Sequence, residues 1–153
     1  MKKAFWPALV ASAALIGCAP VTPSIAATTT AKPTKTCSNA DTTCQLNITV
    51  TACTPDGISI DNDVLGILKG SRNINIDWVI KTPGYAFQAN GIAFKTDGWQ
   101  KEFDQPKANK NTFRWRDMNP GGTAARAFSY GITITKADGS ACATKDPTIV
   151  NDI

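Results

Sequence analysis

Asn73-Ile74-Asn75-Ile76-Asp77-Trp78-Val79-Ile80 is the stretch that decides the fold. Ile74, Ile76, Trp78 and Ile80 fall on one side of a period-2 repeat, and Asn73, Asn75 and Asp77 fall on the other. Branched and aromatic residues on one face, with short polar residues opposite, define a strand that buries one side. A tryptophan among alternating isoleucines fits the central strand of a two-sheet sandwich. Trp78 is expected as a pillar between the sheets, close to Tyr130.

The same reading extends in both directions. Leu46, Ile48 and Val50 alternate with Asn47, Thr49 and Thr51, and Pro55-Asp56-Gly57 turns into a short strand at Ile58 and Ile60. Val64, Leu65, Ile67 and Leu68 have no clear period; strand and single helical turn both fit, and the context favours strand. Tyr85 and Phe87, then Ile92 and Phe94, flank Asn90-Gly91, which suggests a tight hairpin. Residues 99–111 are polar and lysine-rich and are expected to form the longest loop. Phe113 and Trp115 alternate with Arg114 and Arg116, Phe128-Ser129-Tyr130-Gly131-Ile132-Thr133-Ile134 is the second-best strand, and a last strand carries Cys142. About seven to nine short strands, turn signals between them and no helical period predict an all-β, antiparallel β-sandwich.

The chain starts differently. Met1-Lys2-Lys3 is a positive n-region, and residues 4–17 are almost wholly apolar but too short to span a bilayer comfortably. This is an export signal. Leu15-Ile16-Gly17-Cys18 resembles a lipobox, with the Cys18 thiol as acylation site and the signal occupying residues 1–18. Cleavage after Ser24-Ile25-Ala26 is the competing reading and gives a soluble periplasmic or secreted protein. Residues 19–36, rich in Thr, Ala and Pro, have no hydrophobic periodicity and read as a disordered tether; residues 37–153 form the domain. Ala19 after Cys18 is not the aspartate associated with inner-membrane retention, so the expected location is the outer membrane.

The five cysteines leave an odd thiol in an oxidising compartment. With Cys18 set aside, Cys37, Cys44, Cys53 and Cys142 allow three pairings. Cys37–Cys44 with Cys53–Cys142 is favoured, because it closes one short loop and joins an early strand to a late one. The formal charge of +4 includes Lys2 and Lys3, which leave with the signal, so the mature chain sits near +2. That balance argues against a nucleic-acid partner.

Two halves of the chain carry a family likeness. Ile76-Asp77-Trp78-Val79-Ile80, Thr82-Pro83-Gly84-Tyr85-Ala86-Phe87 and Gly91-Ile92 form one; Phe128 to Ile134 and Asp146-Pro147-Thr148-Ile149-Val150-Asn151 form the other. Over about residues 57 to 152 the chain resembles the DP-EP family of small bacterial proteins. The resemblance implies an immunoglobulin-like or cupredoxin-like sandwich and brings no activity, catalytic residue or ligand.

The sequence contains no histidine. Serine–histidine and cysteine–histidine nucleophile arrangements are excluded, as is a blue-copper centre, so a cupredoxin-like shape here carries no metal. The cysteine spacings do not match a zinc site, and no cofactor is expected. Asp61-Asn62-Asp63 reads as a solvated strand-end turn, and Asp117 beside Arg116 as a surface ion pair. Glu102 and Asp104 are the carboxylates a small acid–base enzyme would use, but neighbouring lysines favour keeping both ionised. Trp99, Lys101 and Phe103, in the polar loop, form the candidate binding face, through ring stacking and cation pairing. The expectation is a non-enzymatic, exported, lipid-anchored binding or interaction module, with an envelope protein or carbohydrate as partner. A structural envelope component pairing through an exposed sheet edge is the alternative, and a small carboxylate-based enzyme the remote one.

Overall fold

The computed structural model describes residues 32–41, 43–142 and 145–153. The signal, Cys18 and most of the tether lie outside them. Ten strands form two five-stranded sheets: β1 (Lys35–Cys37), β2 (Cys44–Val50), β3 (Ile58–Ile60), β4 (Val64–Ile67), β5 (Ile74–Ile80), β6 (Tyr85–Phe94), β7 (Phe103–Asn109), β8 (Thr112–Asp117), β9 (Arg126–Lys136) and β10 (Thr148–Asn151). One sheet runs β1-β4-β10-β9-β6 and the other β3-β2-β5-β8-β7. Among the described residues no helix is long and apolar enough to cross a membrane.

The all-β sandwich stands as expected; its pairing and strand number need correction. Ten strands replace seven to nine, and the sheets are mixed. β4 runs parallel to both β1 and β10, and β2 runs parallel to β5. A parallel pair needs a crossover. Here β4 supplies it: the chain leaves β3, crosses to the opposite sheet as β4, and returns as β5 beside β2.

The central strand behaves as its alternation dictates. Ile74, Ile76, Trp78 and Ile80 are buried, while Asn75, Asp77 and Val79 lie on the half-exposed face. Register places Trp78 between Leu46 of β2 and Phe113 of β8. Its indole meets the Tyr130 ring of the other sheet edge-on, centroids 5.3 Å apart, and Nε1–H donates to Tyr130 Oη at 3.0 Å. The buried phenol and indole thus satisfy each other across the core.

Two local expectations are overturned. Residues 85–94 form one strand with a register shift between Phe87 and Ile92, not a hairpin at Asn90-Gly91. A Cβ on Gly91 would sit 2.8 Å from the Phe87 ring, so the glycine serves a bulge packed on its own strand. Residues 99–111 are not one loop: a 3₁₀ turn over Trp99–Lys101 leads into edge strand β7. Pro106 and Lys107 masked its pattern, and both suit an edge. Both predicted disulfides are present. Cys37–Cys44 links β1 of one sheet to β2 of the other, and Cys53–Cys142 joins the β2–β3 loop to the segment after β9. Such bridges mark a domain that matures in an oxidising compartment outside the cytoplasm.

Candidate functional site

Inward-facing residues run past the end of the core at one mouth of the sandwich. Ile80 closes the inward row of β5, and Tyr85 opens that of β6, two residues ahead of buried Phe87. Between them lies a cavity of about 470 Å³, lined by Ile80, Lys81, Pro83, Tyr85, Ala86 and Lys110, among others. That volume is within the ~300–1,000 Å³ range of small-molecule pockets. Its lining is mainly apolar.

Local chemistry fixes the walls. Thr82-Pro83-Gly84 bends the chain from one sheet to the other, and Gly84 takes a φ of 83° that a side chain would disfavour. Thr82 Oγ1 accepts the Val50 N–H at 2.8 Å, and Lys81 N–H donates to Ile48 O at 2.8 Å. The β7–β8 turn is tied in by Ile80 N–H to Asn111 O (2.8 Å) and Phe87 N–H to Lys110 O (2.7 Å). Ala137 N–H closes the third wall on Gly84 O at 2.9 Å. The pocket is therefore built from backbone held at both ends of each turn.

Its rim is cationic. Lys81 and Lys110 line the cavity, and Lys136 sits opposite Tyr85 in the β6–β9 register, on the same face. Among the described residues none of these lysines has a carboxylate within ion-pair distance. Asp138, in the adjoining turn, accepts instead from Ser140 N–H at 2.8 Å and Ser140 Oγ–H at 2.6 Å. That hydrogen bonding holds its carboxyl below the usual range.

The expected face of Trp99, Lys101 and Phe103 does not assemble. Phe103 is 2% exposed and stacks on Phe94 at 4.0 Å, with Phe128 edge-on at 5.3 Å. It is a core residue with no surface for a ligand, which corrects its assignment. Trp99 is half-buried, stacked on Phe94 (5.6 Å) and edge-on to Trp115 (5.3 Å), so it roofs the aromatic core. Lys101 is exposed beside it.

The carboxylates fall into a different pattern from the expected one. Asp104 takes Arg116 in a two-pronged pair (2.7 and 2.5 Å), and Asp77 takes Arg114 (2.5 and 2.6 Å). Asp117 is 0% exposed and pairs with neither, so the reading of an Asp117–Arg116 surface pair is wrong. At the end of the sandwich where β7 and β10 meet β8, Asp117 Oδ1 accepts from Asn119 N–H (2.9 Å) and Asn151 Nδ2 (3.2 Å). Arg126 there bridges Glu102, Asn119 Oδ1 (3.0 Å) and Asp152 Oδ2 (2.7 Å). Burial, reinforced by the Glu102 charge and opposed by these hydrogen bonds and Arg126, pushes the Asp117 carboxyl up to about 7. Among the described residues no three acidic or cysteine side chains are placed to hold a metal ion.

The sequence presents Thr82-Pro83-Gly84 as a bend and Tyr85 as a strand residue, and does not join Lys81, Tyr85 and Lys110 into one site. The available signal was a Pro-Gly turn flanked by a lysine and an aromatic residue, but nothing in the sequence brings Lys110 to it. Neither protein-family models nor characterised proteins match the chain in sequence.

Proposed function

We propose that the chain is an exported, non-enzymatic binding module that holds a small molecule in the Tyr85 pocket. The observation that carries this reading is the apolar cavity whose three walls are pinned to the sheets by backbone hydrogen bonds. A preformed pocket spares the ligand the cost of ordering loops. The carboxylates suggested for acid–base work point the same way, since Asp104 is engaged by Arg116 and Glu102 by Arg126. Anchoring through acylated Cys18 in the outer membrane, with residues 19–36 as tether, completes the proposal. Resemblance to the DP-EP family fits such a module and adds no ligand.

Two measurements test it. A fragment library titrated into the ¹⁵N-labelled domain is expected to shift amides of residues 80–86 and 110–111; shifts confined to other surfaces would remove the pocket from consideration. Mass spectrometry of the mature protein is expected to find an acylated start at Cys18. A start at Ala27 would end the anchoring claim and leave the pocket untouched.

A further inference from the structure

We infer that the ligand of this pocket is an amphipathic anion: a small apolar body seated between Ile80 and Tyr85, with a carboxylate or phosphate head at Lys81 and Lys110. The inference rests on the pocket reading above and adds its chemistry. The floor offers Ile80, Ala86 and the half-buried Tyr85 ring, which reward an apolar body through area removed from water. They offer few groups to orient it. The rim offers the ammonium groups of Lys81 and Lys110, with Lys136 next to Tyr85, and beside them the neutral polar side chains of Thr82 and Asn111. Lysines paired to neighbouring carboxylates would have little left for a ligand. Among the described residues Lys81 and Lys110 have no carboxylate within ion-pair distance, whereas Lys136 shares the field of Asp138, which stays ionised in the Ser140 turn; the head group therefore falls to Lys81 and Lys110.

The contrast with the outer face of the β3-β2-β5-β8-β7 sheet sharpens the point. There Arg114 and Arg116 each have a carboxylate of their own. The two β8 arginines are thus neutralised by carboxylates of their own, whereas Lys81 and Lys110 at the mouth of the pocket are not. A head group bearing negative charge completes the rim, and an ammonium head would meet like charge. Lysine acts as a point charge with rotatable donors, so carboxylate and phosphate are both acceptable heads.

The test compares 2-naphthoate with 2-naphthamide, which share the ring system and differ in charge, and adds inorganic phosphate as a head without a body. Each is titrated into the ¹⁵N-labelled domain and into a Lys81→Gln/Lys110→Gln variant, whose changes are at exposed positions. The expected result is naphthoate binding at residues 80–86 about tenfold tighter than the amide, as for a charge-assisted contact. The variant should erase that difference while keeping amide binding. Equal affinity of naphthoate and naphthamide would overturn the anion assignment and leave the pocket reading intact. Phosphate binding as tightly as naphthoate would overturn the apolar body. Absence of shifts at residues 80–86 and 110–111 with every probe would overturn both readings together.

Discussion

Trp78 and Tyr130 hold the two sheets together through one hydrogen bond and one ring contact. Removing either polar atom leaves the other buried without a partner, at roughly 1–3 kcal/mol. Tyr130→Phe is expected to cost about that much in urea unfolding, and Trp78→Phe more, because ring volume is lost too. The double variant should fall short of the sum; full additivity would show that the indole and phenol do not depend on each other. Asp117 makes the second residue-level prediction. Its proton is held more tightly in the folded chain than in the unfolded one, where the carboxyl titrates near 3.8. Stability from that proton is complete below about pH 4 and is lost as pH rises to about 7, by at most on the order of 4 kcal/mol. Asp104 and Asp138 are depressed and act in the opposite sense, losing their contribution as pH falls below the same unfolded value. A stability profile measured from pH 4 to 8 should slope down, and Asp117→Asn should flatten it. A profile as steep in the variant would place the linkage elsewhere.

At the scale of elements, β5 and β9 were legible because the apolar residues of each recur at every second position; β5 buries that face alone, whereas β9 buries Gly131 and Thr135 as well. β7 was not, because an edge strand needs no apolar row. Only Phe103 is buried in it, and Gln105 takes a φ of 55° beside Pro106. The hairpin reading of β6 failed for a related reason. Asn-Gly favours a tight turn locally, yet the chain gains more by pairing both halves of β6 with β9 around a bulge. Gly91→Ala is the test of that bulge. Its methyl would press on the Phe87 ring and lie 3.1 Å from Gln88 O, at a cost of about 1–3 kcal/mol. Gly70→Asn is the control, since Gly70 has φ of 81° and open space around it; its loss should be smaller. Equal losses would mean that packing against Phe87 is not what requires the glycine. The candidate pocket was illegible for a further reason. Lys110 is remote in sequence from Tyr85 and reaches it only through the β7–β8 turn, whose position depends on the strand that sequence reading took for a loop. Exposure of Asp117 was misjudged likewise, since it is covered by groups from separate parts of the chain, Glu102, Arg126 and Asn151 among them.

For the whole molecule, both disulfides cross between sheets, but they constrain very different lengths of chain. Cys37–Cys44 has a sequence separation of 7 and Cys53–Cys142 one of 89. In the chain-entropy account the first restricts the unfolded state by about 2 kcal/mol and the second by about 5 kcal/mol. Cys53→Ala/Cys142→Ala should therefore lower the urea midpoint more than Cys37→Ala/Cys44→Ala. The Cys37–Cys44 pair is the more buried of the two: Cys37 and Cys44 are both fully in the core, whereas Cys53 is only partly covered. Burial alone thus predicts the reverse order, with the short-loop pair costing more. Measuring both double variants decides between them: a larger loss for Cys53/Cys142 assigns the bridges to restraint of the unfolded chain, and a larger loss for Cys37/Cys44 assigns them to packing between the sheets.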